Sequence, residues 1–184
     1  MAFYRGEDGA VKFGSTSAAV TGLGSGDVCV ILTAGDTDFT AIGAADNNPG
    51  TVFTASGAGS GTGTVAVTAA VAGTRSWSLT LDKAVIEATA MGDTHAANIG
   101  SIISGSGSAE VIYQAGTGET NNFVEQVNSG NDNGFVAFEL FLDSSSKKIL
   151  FAGITTSAEV TSTVGELSIV TVNFVTTGPI TLTL

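Results

Sequence analysis

Alternation of apolar and polar positions with a period of two dominates this chain. It is clearest in "RSWSLTLD", residues 75–82, where Arg75, Trp77, Leu79 and Leu81 fall on one side and Ser76, Ser78, Thr80 and Asp82 on the other. That period marks a half-buried strand. The same pattern predicts strands at residues 10–13, 64–71, 84–91, 106–114, 135–143, 148–160, 166–175 and 180–184, each rich in β-branched or aromatic residues and bounded by Gly, Ser or Asn clusters. In the strand at 84–91, Val85, Glu87, Thr89 and Met91 share one side, and Ile86, Ala88 and Ala90 the other. At 104–111, Ser104, Ser106, Ser108 and Glu110 alternate with Gly105, Gly107, Ala109 and Val111, which gives that strand a smooth polar face.

A single segment has helical spacing. In "TGETNNFVEQVNSG", Phe123, Val124 and Val127 form one stripe, Glu119 lies near the N-terminal end and Gly130 offers a stop. Many strands with one short helix predict a mainly all-β chain, a β-sandwich or barrel-like fold with a flanking α-helix, in one domain spanning 1–184. Residues 26–63 break the pattern: four aspartates, no lysine or arginine, dense glycine and a strong Asn48-Pro49-Gly50 turn. They predict an inserted Gly/Asp-rich hairpin with strands near 39–42 and 51–55, lying across a neighbour or standing out into solvent.

Composition narrows the function classes. Only 12% of residues are charged, and 17 acidic against 6 basic residues give a formal charge of −11. Such a surface does not grip phosphates, although it suits one past which a polyanion must slide. No apolar run reaches the roughly 20 residues of a membrane-spanning helix, and "MAFYRGEDGA" lacks the apolar core of a secretory signal, so synthesis and assembly inside a cell are expected. The lone Cys29, in the strand-like "VCVIL", reads as a small buried apolar residue.

Reactive chemistry finds few residues to work with. His95 is the single histidine; Asp93 and Thr94 precede it, but no "GxSxG" elbow leads into a helix, so a loop side chain bonded to backbone or to a partner subunit is the favoured reading. One His and one Cys cannot furnish a structural zinc site. Asp36 and Asp38 in "AGDTDF" could offer oxygen ligands, but the EF-hand spacing is missing and turn formation explains them. The "GAGSGTGT" run lacks the P-loop lysine and precedes a strand. Phe135, Phe138, Phe141 and Phe151 spread over both faces of adjacent strands, as core aromatics do, rather than forming a base-stacking platform. No catalytic residue, metal or cofactor is expected, and a protein of this kind works by shape.

The order of its strands resembles that of bacteriophage tail tube proteins. "SWSLTLDKAVIEATAMGDTHAANIGSIISGSGSAEVIY" is similar to the family's core, in which a "WSL" strand, a Val/Thr-rich strand and a "GDT"-like loop lead to a strand ending in an acidic, apolar and aromatic run. "FVAFELFLDSSSKKILFAGITTSAEV" and "VGELSIVTVNF" look like its closing strands, so the resemblance covers about 64–184. Residues 36–64 are similar to a glycine-rich module of several phage virion proteins, and their insertion departs from the tail tube pattern.

The resemblance implies a structural virion protein, not an enzyme, that forms homohexameric rings stacked into a tube. The genome crosses its acidic lumen during ejection without specific binding. Implied partners are further copies of the chain, the tape measure, the terminator and a sheath where the tail has one, with no membrane and with assembly in the host cytoplasm. Gly92, Asp93, Thr94, His95 and Asn98 become candidates for a subunit-contact loop, and Glu87, Glu110, Glu159 and Glu166 for acids facing the lumen. A capsid decoration or cement protein is the alternative, and a virion hydrolase built around His95 a third reading.

Overall fold

The strand that organises the molecule is the most thoroughly buried one. In the computed structural model, which describes residues 9–92, 94–113, 118–128, 134–143 and 146–184 (side chains of 118–120 and 128 excepted), all six residues of Val136–Phe141 are buried. Among the described residues there are eleven strands: β1 (Ala10–Gly14), β2 (Ser17–Ala19), β3 (Val28–Thr33), β4 (Val52–Thr54), β5 (Thr64–Val67), β6 (Ala69–Ala70), β7 (Thr74–Glu87), β8 (Asn98–Ile112), β9 (Val136–Phe141), β10 (Lys148–Thr161) and β11 (Ile169–Thr183), with one helix, α1 (Gly118–Asn128). A seven-stranded antiparallel sheet runs β6-β1-β9-β10-β11-β8-β7, and a four-stranded one runs β2-β5-β3-β4. The mainly all-β, sandwich-like architecture with one helix is as the strand pattern predicts.

Because β9 alternates, it supplies two cores at once. Val136, Phe138 and Leu140 face α1, where Phe13, Phe123, Phe138, Phe151 and Phe174 join one cluster with Val11, Val111, Val170 and Val172. Its rings form a contact chain: Phe13 and Phe123 have centroids 4.3 Å apart, Phe138 lies 4.5 Å from Phe174 and 5.2 Å from both Phe13 and Phe151. Phe123 is the helix's anchor and Val124 packs beside it, but Val127 is 43% exposed, so the apolar stripe of α1 is shorter than its spacing predicts. The proposed stop at Gly130 lies outside the described residues.

On the opposite face of β9, Ala137 and Ala152 pack against Val30, Leu32 and Ala66 of the small sheet. The insertion is therefore folded down on its own chain, a correction to the expectation that it crosses a neighbour or stands free. Small residues at 137 and 152 let the two sheets approach, and the small sheet's far side closes over a second core of Val20, Cys29, Ile31, Phe39, Phe53 and Val65. Two further details differ. Residues 40–42 form a 3-10 turn rather than a strand, while Val52–Thr54 does pair, with β3. The run at 64–71 divides between sheets, β5 joining the small one and β6 the large, and this crossing is tight: a Cβ on Gly14 would lie 2.5 Å from the Val67 carbonyl oxygen.

At the crossing sits a buried carboxylate. Glu139, 1% exposed, accepts hydrogen bonds from Thr68 Oγ1 and, at 2.6 Å, from Lys148 Nζ. Removing the ammonium partner of such a pair strands a desolvated charge at a cost of about 3–5 kcal/mol.

The outer hairpins are longer than the sequence pattern suggests. Residues 75–82 and the first half of the predicted 84–91 belong to one strand, β7, which ends at Glu87 and whose register against β8 shifts between Lys83 and Val85; residues 88–91 are not strand. There one residue of β7, Ala84, faces two of β8, Ser101 and Ile102, so the β-bulge lies in β8 and interrupts the pairing without ending β7. A second bulge between Thr74 and Ser76 turns Arg75 away from Trp77, with which strict alternation groups it: its guanidinium meets Glu110, on the opposite face of the sheet. Likewise 169–183 is continuous, because Gly178 (φ +68°) and Pro179 form an irregularity between Thr177 and Ile180 rather than an end.

The aspartates of the insertion tie its loops. Asp36 Oδ1 accepts from Thr62 N at 2.6 Å and Thr62 Oγ1 at 2.8 Å, Asp38 Oδ1 from Thr40 Oγ1 at 2.6 Å, and Asp46 Oδ1 from Asn48 N at 2.9 Å and from Thr51 Oγ1. Hydrogen bonds from Thr62, Thr40 and Thr51 respectively hold all three carboxyls below the ordinary aspartate range. The Asn48-Pro49-Gly50 turn is formed, Thr51 N donating to Asn48 O with Gly50 at φ +90°.

Two outcomes are expected. Phe138→Ala, which empties the meeting point of the ring cluster, should lower unfolding stability by about 3–5 kcal/mol in denaturant titration, against less than about 1.5 kcal/mol for Phe138→Leu accommodated by repacking. The lowered aspartate pKa values mean that the unfolded chain takes up protons first on acidification. Their contribution is whole above the ordinary aspartate value of 3.8 and is lost as pH falls through the lower folded values. Thermal unfolding followed from about pH 5 to pH 1 should accordingly show a shallower decline for Asp36→Asn than for the parent chain.

Candidate functional site

What the fold leaves uncovered is as specific as what it buries. Strand β11 accompanies β8 from Ile169, opposite Ile112, as far as Val175, opposite Ser106. Beyond that point it stays with β10, and the Gly178-Pro179 irregularity lies just past the parting. Residues 98–105 of β8 are left with β7 alone, and the two strands project as a ribbon about 25 Å long. Isolated two-stranded ribbons are marginal in water.

This arm is apolar on both faces. Cross-strand partners Ile86 and Ile99 share one face, while Val85 occupies the other opposite Gly100. All three are exposed, as are Ile103 and Ile102, the latter 75%. The branched side chains suit a strand, yet nothing among the described residues covers them. At the arm's end, Ala88 N donates to Ala97 O at 2.8 Å, so the connecting loop is shorter than the predicted 92–100. Gly92 turns it at φ +105°, and His95 is exposed with Nδ1 3.0 Å from Thr94 Oγ1. Asn98 is a strand residue paired with Glu87. Asp93 lies outside the described residues.

A second uncovered end is the tip of the β10–β11 hairpin, where Val160, Val164 and Leu167 are exposed, Leu167 by 67%. Glu159 and Glu166 stand beside them, Glu166 in the turn rather than in a strand.

The four candidate acids do not form one set. Glu110 and Glu159 occupy a single row across the sheet, each opposite Thr171 on β11, and so share a face. Arg75 bonds Glu110 at 3.0 Å, which cancels one of those charges locally. Glu87 is about 40 Å away along β8, in the arm, where it accepts from Thr89 Oγ1 at 2.8 Å. Around Glu110 the face is hydroxylic: Ser78 and Ser108 are hydrogen-bonded at 3.1 Å, and Asn173 donates to Ser157 at 2.9 Å.

Other sequence candidates resolve as structural. Asp36 and Asp38 serve the turns just described, and no group of three or more metal-ligating side chains occurs among the described residues. Cys29 is buried, and desolvation, helped by Asp27, pushes its thiol pKa up to about 12, which keeps it protonated and inert. Phe138 and Phe151 line the helix side and Phe135 and Phe141 the other, as their spacing predicts. What residue reasoning missed is the arm, since "NIGSIISG" looks like loop and strand start until the departure of β11 leaves it unpaired on one side.

No protein-family model matches the sequence, and no curated protein does. Among solved structures, the chain is similar to one from the virion of a native gene transfer agent particle, with a TM-score of 0.51 and 13% identity over 64% of this chain and 89% of that one. It is also similar to one from the tail of an empty gene transfer agent particle, refined helically with C6 symmetry, with a TM-score of 0.52 and 13% identity over 64% of this chain and 87% of that one. At that identity the likeness is one of fold, and the fold is one that a virion tail uses.

Proposed function

We propose that this protein is a structural subunit of a virion tail, polymerising as stacked hexameric rings into the tube through which the genome passes. The observation that carries this reading is the β7–β8 arm, a ribbon with branched apolar side chains exposed on both faces. Burying a Val or Ile side chain from full exposure is worth roughly 1.5–3 kcal/mol. Val85, Ile86, Ile99, Ile102 and Ile103, each more than half exposed, together offer burial of the same order as the lower part of the roughly 4–15 kcal/mol that association costs in translational and rotational freedom. An arm that leaves its own sheet and finds its cover on another copy makes a heterologous contact, the kind that closes rings and extends stacks. The fold it shares with a chain of a C6-symmetric tail supports the same reading.

In this role Gly92, Thr94, His95 and Asn98 are contact residues at the end of the arm. Net charge acts on the cargo: a formal −11 on each copy repels a polyanion. Near Glu110 that repulsion is moderated by Arg75 and spread over serine hydroxyls, so the surface is hydrated without being adhesive.

Electron microscopy of the concentrated protein should show hollow filaments, or rings poised to stack. Ile86→Asp with Ile99→Asp, on one face of the arm, should abolish them while the circular dichroism spectrum of the folded chain persists. A parent protein that stays monomeric at every concentration reached, or an arm variant that polymerises unchanged, would sink the reading.

A further inference from the structure

The β10–β11 hairpin separates charge along its length. Lys147 and Lys148 stand at its start, and from residue 149 to residue 184 the chain contains no lysine or arginine. Its acids, Glu159 and Glu166, lie at the opposite end, about 40 Å away along β10. The lysine end is reinforced from β1, where Lys12 Nζ lies 5.2 Å and Lys148 Nζ 5.6 Å from the Phe141 ring centroid. Lys147 Nζ donates to Leu184 O at 2.6 Å, and Leu182 is exposed beside β10. Among the described side chains there, Glu139 and Asp143 oppose Lys12, Lys147 and Lys148, leaving one net positive charge in a chain that is strongly acidic overall. At the tip neither glutamate is in an ion pair among the described residues, and Val160, Val164 and Leu167 surround them.

Both ends thus combine exposed apolar side chains with charge, of opposite sign. We propose that copies of this chain meet head to tail along the β10–β11 hairpin, the acidic tip of one seated on the Lys12–Lys147–Lys148 end of the next. This rests on the tail-subunit reading and names a second contact for it, distinct from the arm. A second copy is the occupant that the charges select. Two molecules of formal charge −11 repel in most orientations, and tip-to-tip approach sets glutamate against glutamate. Head-to-tail approach sets the lysine end of one copy on the unpaired glutamates of the next, and such a contact repeats without closing, as a stack requires. Exposed ion pairs contribute little affinity each, so the lysines and glutamates set orientation while the apolar residues supply the attraction.

A charge-swap experiment tests this. One variant carries Glu159→Lys with Glu166→Lys; the other carries Lys12→Glu with Lys147→Glu, sparing Lys148 because it holds Glu139. Each alone should need a roughly tenfold higher concentration to form filaments, and an equimolar mixture should restore assembly, since alternating copies oppose lysine to glutamate at every contact. Unimpaired assembly of either variant, or a mixture no better than its components, overturns the proposal. If either charge reversal unfolds the chain by circular dichroism, Glu159→Gln with Glu166→Gln replaces it: assembly should then be weaker and less sensitive to salt than in the parent, and an unchanged salt response overturns the contact. Failure of the parent chain to assemble at all removes the tail reading and this contact with it. Loss of filaments in the arm variant alone, with the charge variants assembling normally, leaves the tail reading standing and removes only this contact.

Discussion

Everything in this molecule follows from a central strand that is buried on both faces. Val136 to Phe141 contributes alternate residues to a phenylalanine-rich core under α1 and to a smaller core under the second sheet. A sheet of seven strands could stand with one wet face, as antiparallel sheets often do. Here the middle strand cannot, because Ala137 and a buried Glu139 occupy the second face and need cover and a counter-charge. The small sheet supplies the first, and Lys148 with Thr68 the second. The glycine-rich insertion is for that reason part of the core, whatever else its outer loops do.

That arrangement explains which features were legible in the sequence. Period-two alternation located nearly every strand, and the isolated Phe123–Val124 pair located the helix, because local side-chain pattern reports directly on burial. Bulges were not legible. Between Lys83 and Val85 the extra residue lies in β8, and at Gly178-Pro179 two extra residues interrupt β11; an interruption of this kind looks in sequence the same as a break between strands. The division of 64–71 between two sheets was hidden for a similar reason: Thr68 continues an extended run, and only the close approach of Gly14 to Val67 marks the crossing. Arg75, grouped by alternation with Trp77, was likewise displaced to the other face by a bulge.

Function was legible only in outline. Residue chemistry argued against an active site; the single histidine lies at the exposed end of a ribbon, its Nδ1 3.0 Å from Thr94 Oγ1. Strand order suggested an assembly protein, and the fold is shared with a tail chain at an identity too low for sequence alone to have shown it. The acids chosen as one lumen-facing set divide into a row at Glu110 and Glu159, a turn residue at Glu166 and a distant Glu87, because strand register, invisible in a linear reading, decides which side chains become neighbours.

The exposure of the arm and the polarity of the β10–β11 hairpin share one structural cause. Strand β11 pairs with β8 over its first half and then continues only beside β10, the Gly178-Pro179 irregularity lying just past the parting. The departure strips β8 of a neighbour and creates the apolar ribbon. It also carries Leu182 and the end of β11 alongside Lys148, where the lysines of β1 and β10 gather around Phe141. One irregularity in one strand thus accompanies both an exposed apolar surface and a hairpin with its charges separated, the two features on which the proposed contacts rest. A monomer evolved for solution would have little use for either. In a repeating assembly the two are complementary, since apolar burial provides affinity without direction and charge provides direction with little affinity.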